Sequence, residues 1–325
     1  MTVWDAWWKQ PECGAILRSR DGLVYVGDSL DLMATVANES IDLVLTSPPF
    51  PLLREKEYGN VAEEQYVVWF DAFATEFKRI LKPGGSLVID LGGTYLRGRA
   101  IRSIYQYELL VHLVRQRGFG LAQEFFHYNP ARLPTPAQWV NIERTRVKDS
   151  VNVVWWLSKG DKPKANNRKV LQAYSVSMEN LLRNGYTPRL RPSGHDISGT
   201  FQRNNGGSIP PNLLSFANTG SNTEYLRHCR SMRLKPHPAR FPTELPLFFI
   251  RFLTEVGDTV FDPFAGSLTT GYAAAILGRK WLCAEVNPQY VRSGLTRFWD
   301  RINTRGPNEF HLRKRLEPVV SNWFQ

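Results

Sequence analysis

Phe261-Asp262-Pro263-Phe264-Ala265-Gly266-Ser267-Leu268-Thr269-Thr270-Gly271 carries the chain from a short apolar strand, 259–261, through a turn of small residues into a helix expected over 269–277. Nineteen residues after Gly266 stands Glu285, the last residue of the next strand, 280–285. A glycine turn lets the main chain come close to a ligand, and a carboxylate at the end of the neighbouring strand accepts hydrogen bonds from ribose hydroxyls. With these parts a Rossmann-like sheet holds a nucleoside. The three-glycine dinucleotide fingerprint is absent, so the ligand expected is a nucleoside without a pyrophosphate, such as S-adenosyl-L-methionine. Taken alone, the turn also suits an ordinary strand-to-helix connection; Glu285 at the expected distance favours the ligand.

Working outward, the first half alternates strands (23–26, 41–45, 86–91, 122–127, 151–157) with helices (30–36, 62–81, 101–117). In the longest helix Tyr66, Trp69, Phe70, Phe73 and Phe77 recur at three- and four-residue spacing and form one apolar face. Strands separated by helices of this length imply βαβ units and a mostly parallel sheet. From about 158 to 233 periodicity fades, and Asn, Gly, Ser, Pro and Arg crowd an irregular insert. Periodicity returns with a helix at 245–256 and a last one at 290–303.

Composition narrows the class. With 42% apolar, 12% aromatic and 22% charged residues the chain can bury a sizeable core, which excludes a disordered polyelectrolyte. No run of 18 apolar residues occurs, so no membrane span is expected, and the first residues, Met-Thr-Val-Trp-Asp, lack the features of a secretion signal. A cytoplasmic, nucleoid-associated bacterial protein is the expectation. Cys13, Cys229 and Cys283 are far apart, so neither a zinc site nor a disulfide framework is indicated, and no metal is expected. The net charge is +11, and residues 161–240 hold thirteen basic and four acidic side chains, hence +9 of that total. Such concentration favours a polyanionic partner.

The second motif is Thr46-Ser47-Pro48-Pro49-Phe50, at the C-terminal end of a strand, where open α/β sheets bind their ligands. The exocyclic amino group of a base is a poor nucleophile because its lone pair is delocalised into the ring. Acceptors fixed by a rigid Pro-Pro turn, the Ser47 hydroxyl and the Pro48 carbonyl, can take both amino hydrogens. That tilts the nitrogen towards tetrahedral geometry and aims its lone pair at a methyl sulfonium. Phe50 offers a face on which an extracted base can stack. The same residues also describe a plain Pro-Pro turn with a buried Phe.

With both motifs in view, the chain resembles the exocyclic amino-group DNA methyltransferases, whose catalytic tetrapeptide is Ser, Asp or Asn, then Pro-Pro, then an aromatic. The tetrapeptide precedes the cofactor turn, with the basic segment between them, which is the order of the family's β class. Further segments resemble its PvuII-like cytosine-N4 branch: 24–32, 56–60, 139–141, 146–149, 191–197, 206–214 and 237–242. The cofactor turn Asp-Pro-Phe-Ala-Gly departs from that branch towards the commoner family pattern. The resemblance spans about residues 22–300. It implies a Rossmann-like S-adenosylmethionine-dependent methyltransferase fold, α/β and circularly permuted, with a mostly parallel sheet and an irregular DNA-recognition insert. Residues 1–158 would form the catalytic half, 159–235 the target-recognition region and 236–325 the cofactor-binding half.

The resemblance also implies roles. Asp28 and Ser29 match the segment that contacts the cofactor's adenine. Asp262, Pro263, Phe264, Ala265, Gly266 and Thr269 match the cofactor turn, Glu285 the ribose ligand, and His237 the motif beside the methionine part. Ser47, Pro48, Pro49 and Phe50 are the catalytic residues, and Asp90, at a neighbouring strand end, either bonds the Ser47 hydroxyl or the target base or merely caps a turn. Arg189, Arg191, His195, Arg203, Asn204 and Asn205 are the DNA-binding candidates, although 204–208 could be simple connection. His195 is expected to contact phosphate or a base edge, since this chemistry needs no strong base. Trp155 and Trp156 are expected in the core.

The partner expected is double-stranded DNA, with a homodimer left open. Cytosine N4 is the favoured target because Ser-Pro-Pro-aromatic usually accompanies it; adenine N6 is the alternative. Two rivals stand further off: a DNA-binding regulator that has lost catalysis, and a methyltransferase for RNA or protein amino groups.

Overall fold

Alternate residues of the central strands face opposite ways, and both faces of this sheet are covered, so its strands read as unbroken apolar runs. In the computed structural model the described residues are 13–51, 61–185, 203–217, 222–240, 242–298 and 310–313. The chain divides into one unit of residues 1–164 with 212–325 and a second of residues 165–211.

The larger unit contains the sheet. Its strands are β1 (Ile16–Ser19), β2 (Gly22–Val26), β3 (Ile41–Thr46), β4 (Leu81–Leu91), β5 (Gly120–Tyr128), β6 (Val151–Ser158), β7 (Leu213–Ser215), β8 (Thr259–Asp262), β9 (Lys280–Glu285) and β10 (Phe310–Arg313), in the order β10-β1-β2-β9-β8-β3-β4-β6-β5-β7. The five central strands from β2 to β4 are parallel. β6 returns antiparallel between β4 and β5, while β1 and β10 close the other side antiparallel. Five of the nine pairings are thus parallel, and β5 runs in the same direction as β4.

Helices α1 (Ser29–Thr35), α2 (Glu63–Ile80) and α3 (Tyr105–Arg115) cover one face. There Phe70, Phe73 and Phe77 pack with Val44, Leu87 and Ile89. On the other face Leu43, Leu45 and Val88 meet Phe249 and Ile250 of α6 (Glu244–Leu253), Ala273 and Ala274 of α7 (Thr269–Ile276) and Val291 of α8 (Pro288–Leu295). Trp155 and Trp156 are buried on opposite faces of β6, and each indole N–H finds an acceptor, Glu124 Oε2 and Ser86 Oγ.

Differences from the sequence expectation lie at boundaries and in the polar segment. Lys82-Pro83-Gly84-Gly85 does not simply end a helix: the strand begins at Leu81 and absorbs these residues as an irregularity, the register slipping between Ile41↔Leu81 and Leu43↔Ser86. α3 starts at Tyr105 rather than 101, because the preceding chain bridges Arg102 back to Tyr95. α6 stops at Leu253, where Thr254 turns extended and caps with its N–H on Ile250. α8 opens at Asn287-Pro288, an N-cap followed by a proline whose missing N–H costs nothing there. Within the polar segment lie α4 (Val176–Asn184), capped by Ser175, and α5 (Thr223–Ser231). None of the described apolar side chains of the smaller unit is fully buried, so its helix shows little periodicity. A two-way main-chain bridge between Gln172 and Ser208 ties that unit together.

Among the described residues no helix is long and apolar enough to cross a membrane, and no cluster of His, Cys, Asp or Glu is suited to a metal ion. The cysteines are free thiols, Cys229 and Cys283 buried and Cys13 exposed.

Candidate active site

Parallel strands share a C-terminal edge. Here the ends of β2, β9, β8, β3 and β4 bring Asp28, Glu285, the turn after Asp262, Ser47 and Asp90 around one cavity of about 510 Å³. Ser47 and the turn at 262–266 are some 215 positions apart in sequence but one strand apart in the sheet, since β3 pairs directly with β8.

The turn is held from beneath. Asp262 is buried, and its carboxylate accepts hydrogen bonds from Thr46 Oγ1 (2.8 Å), Thr270 Oγ1 (2.6 Å) and the Phe264 N–H (3.1 Å). It is engaged by the protein itself, tying the turn to the end of β3 and the start of α7. Burial pushes its pKa up to about 6, against these three donors. Gly266 has φ +49°, a left-handed conformation that favours glycine, and a Cβ there would lie 3.2 Å from the His237 ring. Its N–H donates to Glu285 Oε2, and the Asn287 N–H donates to Oε1, both at 2.9 Å. Each carboxylate oxygen of Glu285 therefore keeps a lone pair for another donor. Burial raises its pKa to about 7.

Asp28 is exposed at the mouth and caps α1 through the Leu30 N–H at 2.9 Å, with Ser29 buried behind it. His237 is nearly buried, edge-on to Tyr290 at 4.4 Å between ring centres, and its main-chain N–H donates to the Tyr225 hydroxyl. Burial drops its pKa to about 4, so the ring is neutral. Phe264 reaches across the cavity rim to Phe73 (4.9 Å) and Trp69 (5.7 Å) of α2.

On the other side, the Ser47 hydroxyl donates to the main-chain carbonyl of Asp90 at 3.1 Å. Sequence reasoning put this bond on the Asp90 side chain; the carboxylate instead stands 3.9 Å from His127. Because its hydrogen is committed to a carbonyl, Ser47 Oγ presents lone pairs rather than a proton to a further partner. The tetrapeptide is clamped by the buried Tyr66, whose hydroxyl donates to the Pro49 carbonyl (2.9 Å). The Phe50 ring lies against Gly92, so closely that a Cβ there would be 2.5 Å from the ring. The chain after β4 is held in turn by Tyr105, bonded to the Gly92 carbonyl, and Gln106, bonded to the Leu91 carbonyl (2.9 Å).

A family profile described as DNA methylase matches residues 41–296, which includes both motifs. The chain belongs to this DNA methylase family. It is 50% identical over 283 residues to the type II methyltransferase M.PvuII of Proteus hauseri, covering 86% of this chain and 84% of that one. The solved structure of a PvuII DNA methyltransferase, cytosine-N4-specific, superimposes with a TM-score of 0.70 at 41% identity, over 94% of this chain and 91% of that one. A DNA modification methylase of Thermus thermophilus, TTHA0409, crystallised with S-adenosyl-L-methionine, shares the fold at 23% identity and a TM-score of 0.53, over 86% of this chain and 95% of that one.

In this methylase several cavity residues escape sequence reasoning. Trp69 and Phe73 read as core, but they also form the aromatic wall beside Phe264. His127 ends β5, which the β6 return makes parallel to β4, so its side chain arrives at the same edge as Ser47. Asn152 starts β6 there and accepts from Arg132 Nη1 at 2.9 Å. A polar residue at the end of an apolar strand was the available signal; the direction of β5 was not readable. In the methylase's smaller unit, Arg203, Asn204 and Asn205 are exposed and border a second cavity of about 720 Å³ with Arg168 and Tyr174. Arg189, Arg191 and His195 lie outside the described residues.

Proposed function

We propose that this methylase transfers a methyl group from S-adenosyl-L-methionine to N4 of a cytosine extruded from duplex DNA. The observation that carries the reading is the Ser47 hydroxyl, whose proton is committed to the Asp90 carbonyl while its oxygen lines the cavity shared with Gly266 and Glu285. The 50% identity to M.PvuII supports cytosine over adenine.

The cavity suits the cofactor. Glu285 is 7% exposed and has lone pairs left for ribose hydroxyls, Gly266 leaves a cradle that a side chain would fill, and Asp28 and Ser29 border it as adenine contacts. Pro263, Phe264, Ala265, Thr269 and His237 line the remainder, and His237, neutral, adds no charge to repel a sulfonium. Asp262 serves by positioning this turn. When bound, the cofactor supplies an electrophilic methyl on a cationic sulfur.

Ser47 Oγ and the Pro48 carbonyl accept the amino hydrogens of the base, localising the nitrogen lone pair and stabilising the positive charge that grows there during transfer. Pro49 keeps this geometry rigid, with Tyr66 as its clamp. Phe50 stacks on the base and excludes water. Residues 1–158 carry the catalytic half and 236–325 the cofactor half. Residues 159–235 supply duplex recognition, with Arg203, Asn204 and Asn205, together with Arg189, Arg191 and His195, as contacts to phosphates or base edges.

Expression in a methylation-free host followed by mass spectrometry of nucleosides tests the assignment. N4-methylcytosine is expected; N6-methyladenine alone would move the target to adenine, and neither base would defeat the reading. Ser47→Ala and Phe50→Ala should each lower kcat by about 100-fold or more while S-adenosylmethionine affinity stays within a few-fold.

A further inference from the structure

The proposed transfer leaves two cavity groups without a task, the Asp90 carboxylate and the His127 imidazole. They are 3% and 5% exposed, and both line the cavity that contains Ser47. Each ends in a buried atom with no hydrogen-bond partner, Oδ1 of Asp90 and Nδ1 of His127. Such atoms are rare in folded proteins and mark places that something else completes.

The imidazole has an acceptor on either side. Nε2 stands 3.3 Å from the Phe216 carbonyl, and Nδ1 stands 3.9 Å from Asp90 Oδ2. A neutral ring carries one proton and would turn a lone pair towards one of these oxygens; only the protonated ring suits both. Burial and the nearby Arg132 oppose that charge, but Asp90 and the Phe216 carbonyl outweigh them and the His127 pKa is raised. A separation of 3.9 Å is too long for a hydrogen bond, so Nδ1–H still lacks an acceptor. A cytosine whose amino group sits at Ser47 presents one next door, since N3 is an acceptor; in thymine the same position carries a hydrogen.

We propose that His127, held beside Asp90, is a specificity-determining residue that donates from Nδ1 to N3 of the extruded cytosine. The inference rests on the cytosine-N4 reading above and deepens it. Stacking on Phe50 alone leaves a base free to rotate in its own plane; an in-plane hydrogen bond next to the amino group removes that freedom and points the nitrogen at the methyl donor. Thymine fails twice, having no amino group and meeting a donor with a donor.

A two-by-two kinetic cycle tests the contact. Duplexes carrying the recognition site, located by mapping N4-methylcytosine in DNA from an expression host, are prepared with cytosine or 3-deazacytosine at the target. Each is given to the wild-type enzyme and to His127→Leu. The analogue, which replaces N3 by C–H, should lower wild-type kcat/KM by about 10- to 100-fold, as loss of a charge-assisted hydrogen bond does. His127→Leu should lose a similar factor on cytosine and then treat both duplexes alike, and His127→Gln, which keeps a neutral donor, should recover part of the loss. Two losses that multiply, or a wild-type enzyme indifferent to the analogue, overturn the inference. Calorimetric S-adenosylmethionine affinity separates a lost contact from a collapsed site; if His127→Leu has collapsed, the wild-type response to the analogue decides. Absence of any N4-methylcytosine with wild-type enzyme would instead bring down the reading beneath it.

Discussion

Asp262 and Glu285 are both buried carboxylates at strand ends, and their hydrogen bonds assign them different work. Asp262 has its donors from Thr46, Thr270 and Phe264, all within the protein, whereas Glu285 has one main-chain donor on each oxygen and faces the cavity. Burial raises both pKa values, from 3.8 to about 6 and from 4.5 to about 7. A carboxyl whose folded pKa lies above its unfolded value stabilises the fold while protonated. That contribution is present below about pH 4 and is lost as pH climbs through 6 to 7. Ribose hydroxyls donating to Glu285 favour its charged form, so binding S-adenosylmethionine should release a proton. Affinity should therefore tighten between pH 5 and 7 and level off above, with Glu285→Gln abolishing the slope. Calorimetry in buffers of different ionisation enthalpy reads the proton directly; a pH-independent wild-type affinity would remove Glu285 from the ribose contact. The sequence pattern placed both acids at the turn, but which one was free to bind depended on Thr46, some 216 positions away in the chain.

At the scale of elements, the tetrapeptide owes its rigidity to α2 and α3. The aromatic periodicity of α2 was legible as a buried face, but not that Tyr66 at its start would turn its hydroxyl to Pro49, nor that Tyr105 of α3 would meet Tyr66 edge-on at 4.9 Å and hold Gly92. Gly92 follows β4 and gives the Phe50 ring its seat. Its φ is not in the left-handed region, so Gly92→Ala adds a methyl without backbone strain and pushes the ring away instead. We expect kcat/KM for DNA to fall about tenfold or more, since small displacements near reacting atoms are costly, while Tm and cofactor affinity change little. Unchanged kinetics would show that the ring position is immaterial.

Across the whole molecule, the +11 charge is uneven: residues 161–240 hold +9 of it. Exposed Arg168, Arg183 and Arg203 belong to the smaller unit, whose described apolar side chains are not fully buried, so it is organised more by polar contacts than by a core. Replacing these three arginines with Gln should weaken duplex binding and reduce the slope of log K against log salt by up to about 2.7, while leaving cofactor affinity intact. Filter binding across a salt series checks this; an unaltered slope would mean that these arginines do not meet phosphate. Charge and composition need no fold to be counted, and the two motifs are local, because a strand, a tight turn and a helix start are specified by adjacent residues. Thus sequence alone determined the methyltransferase chemistry, the permuted order and the basic segment. Tertiary structure decided what local pattern cannot encode: that β3 and β8 are neighbours, that β6 turns back so β5 delivers His127 to the Ser47 edge, and that the Ser47 proton goes to a main-chain carbonyl. Each depends on strand direction and pairing between distant segments, which are set by how the sheet buries both of its faces.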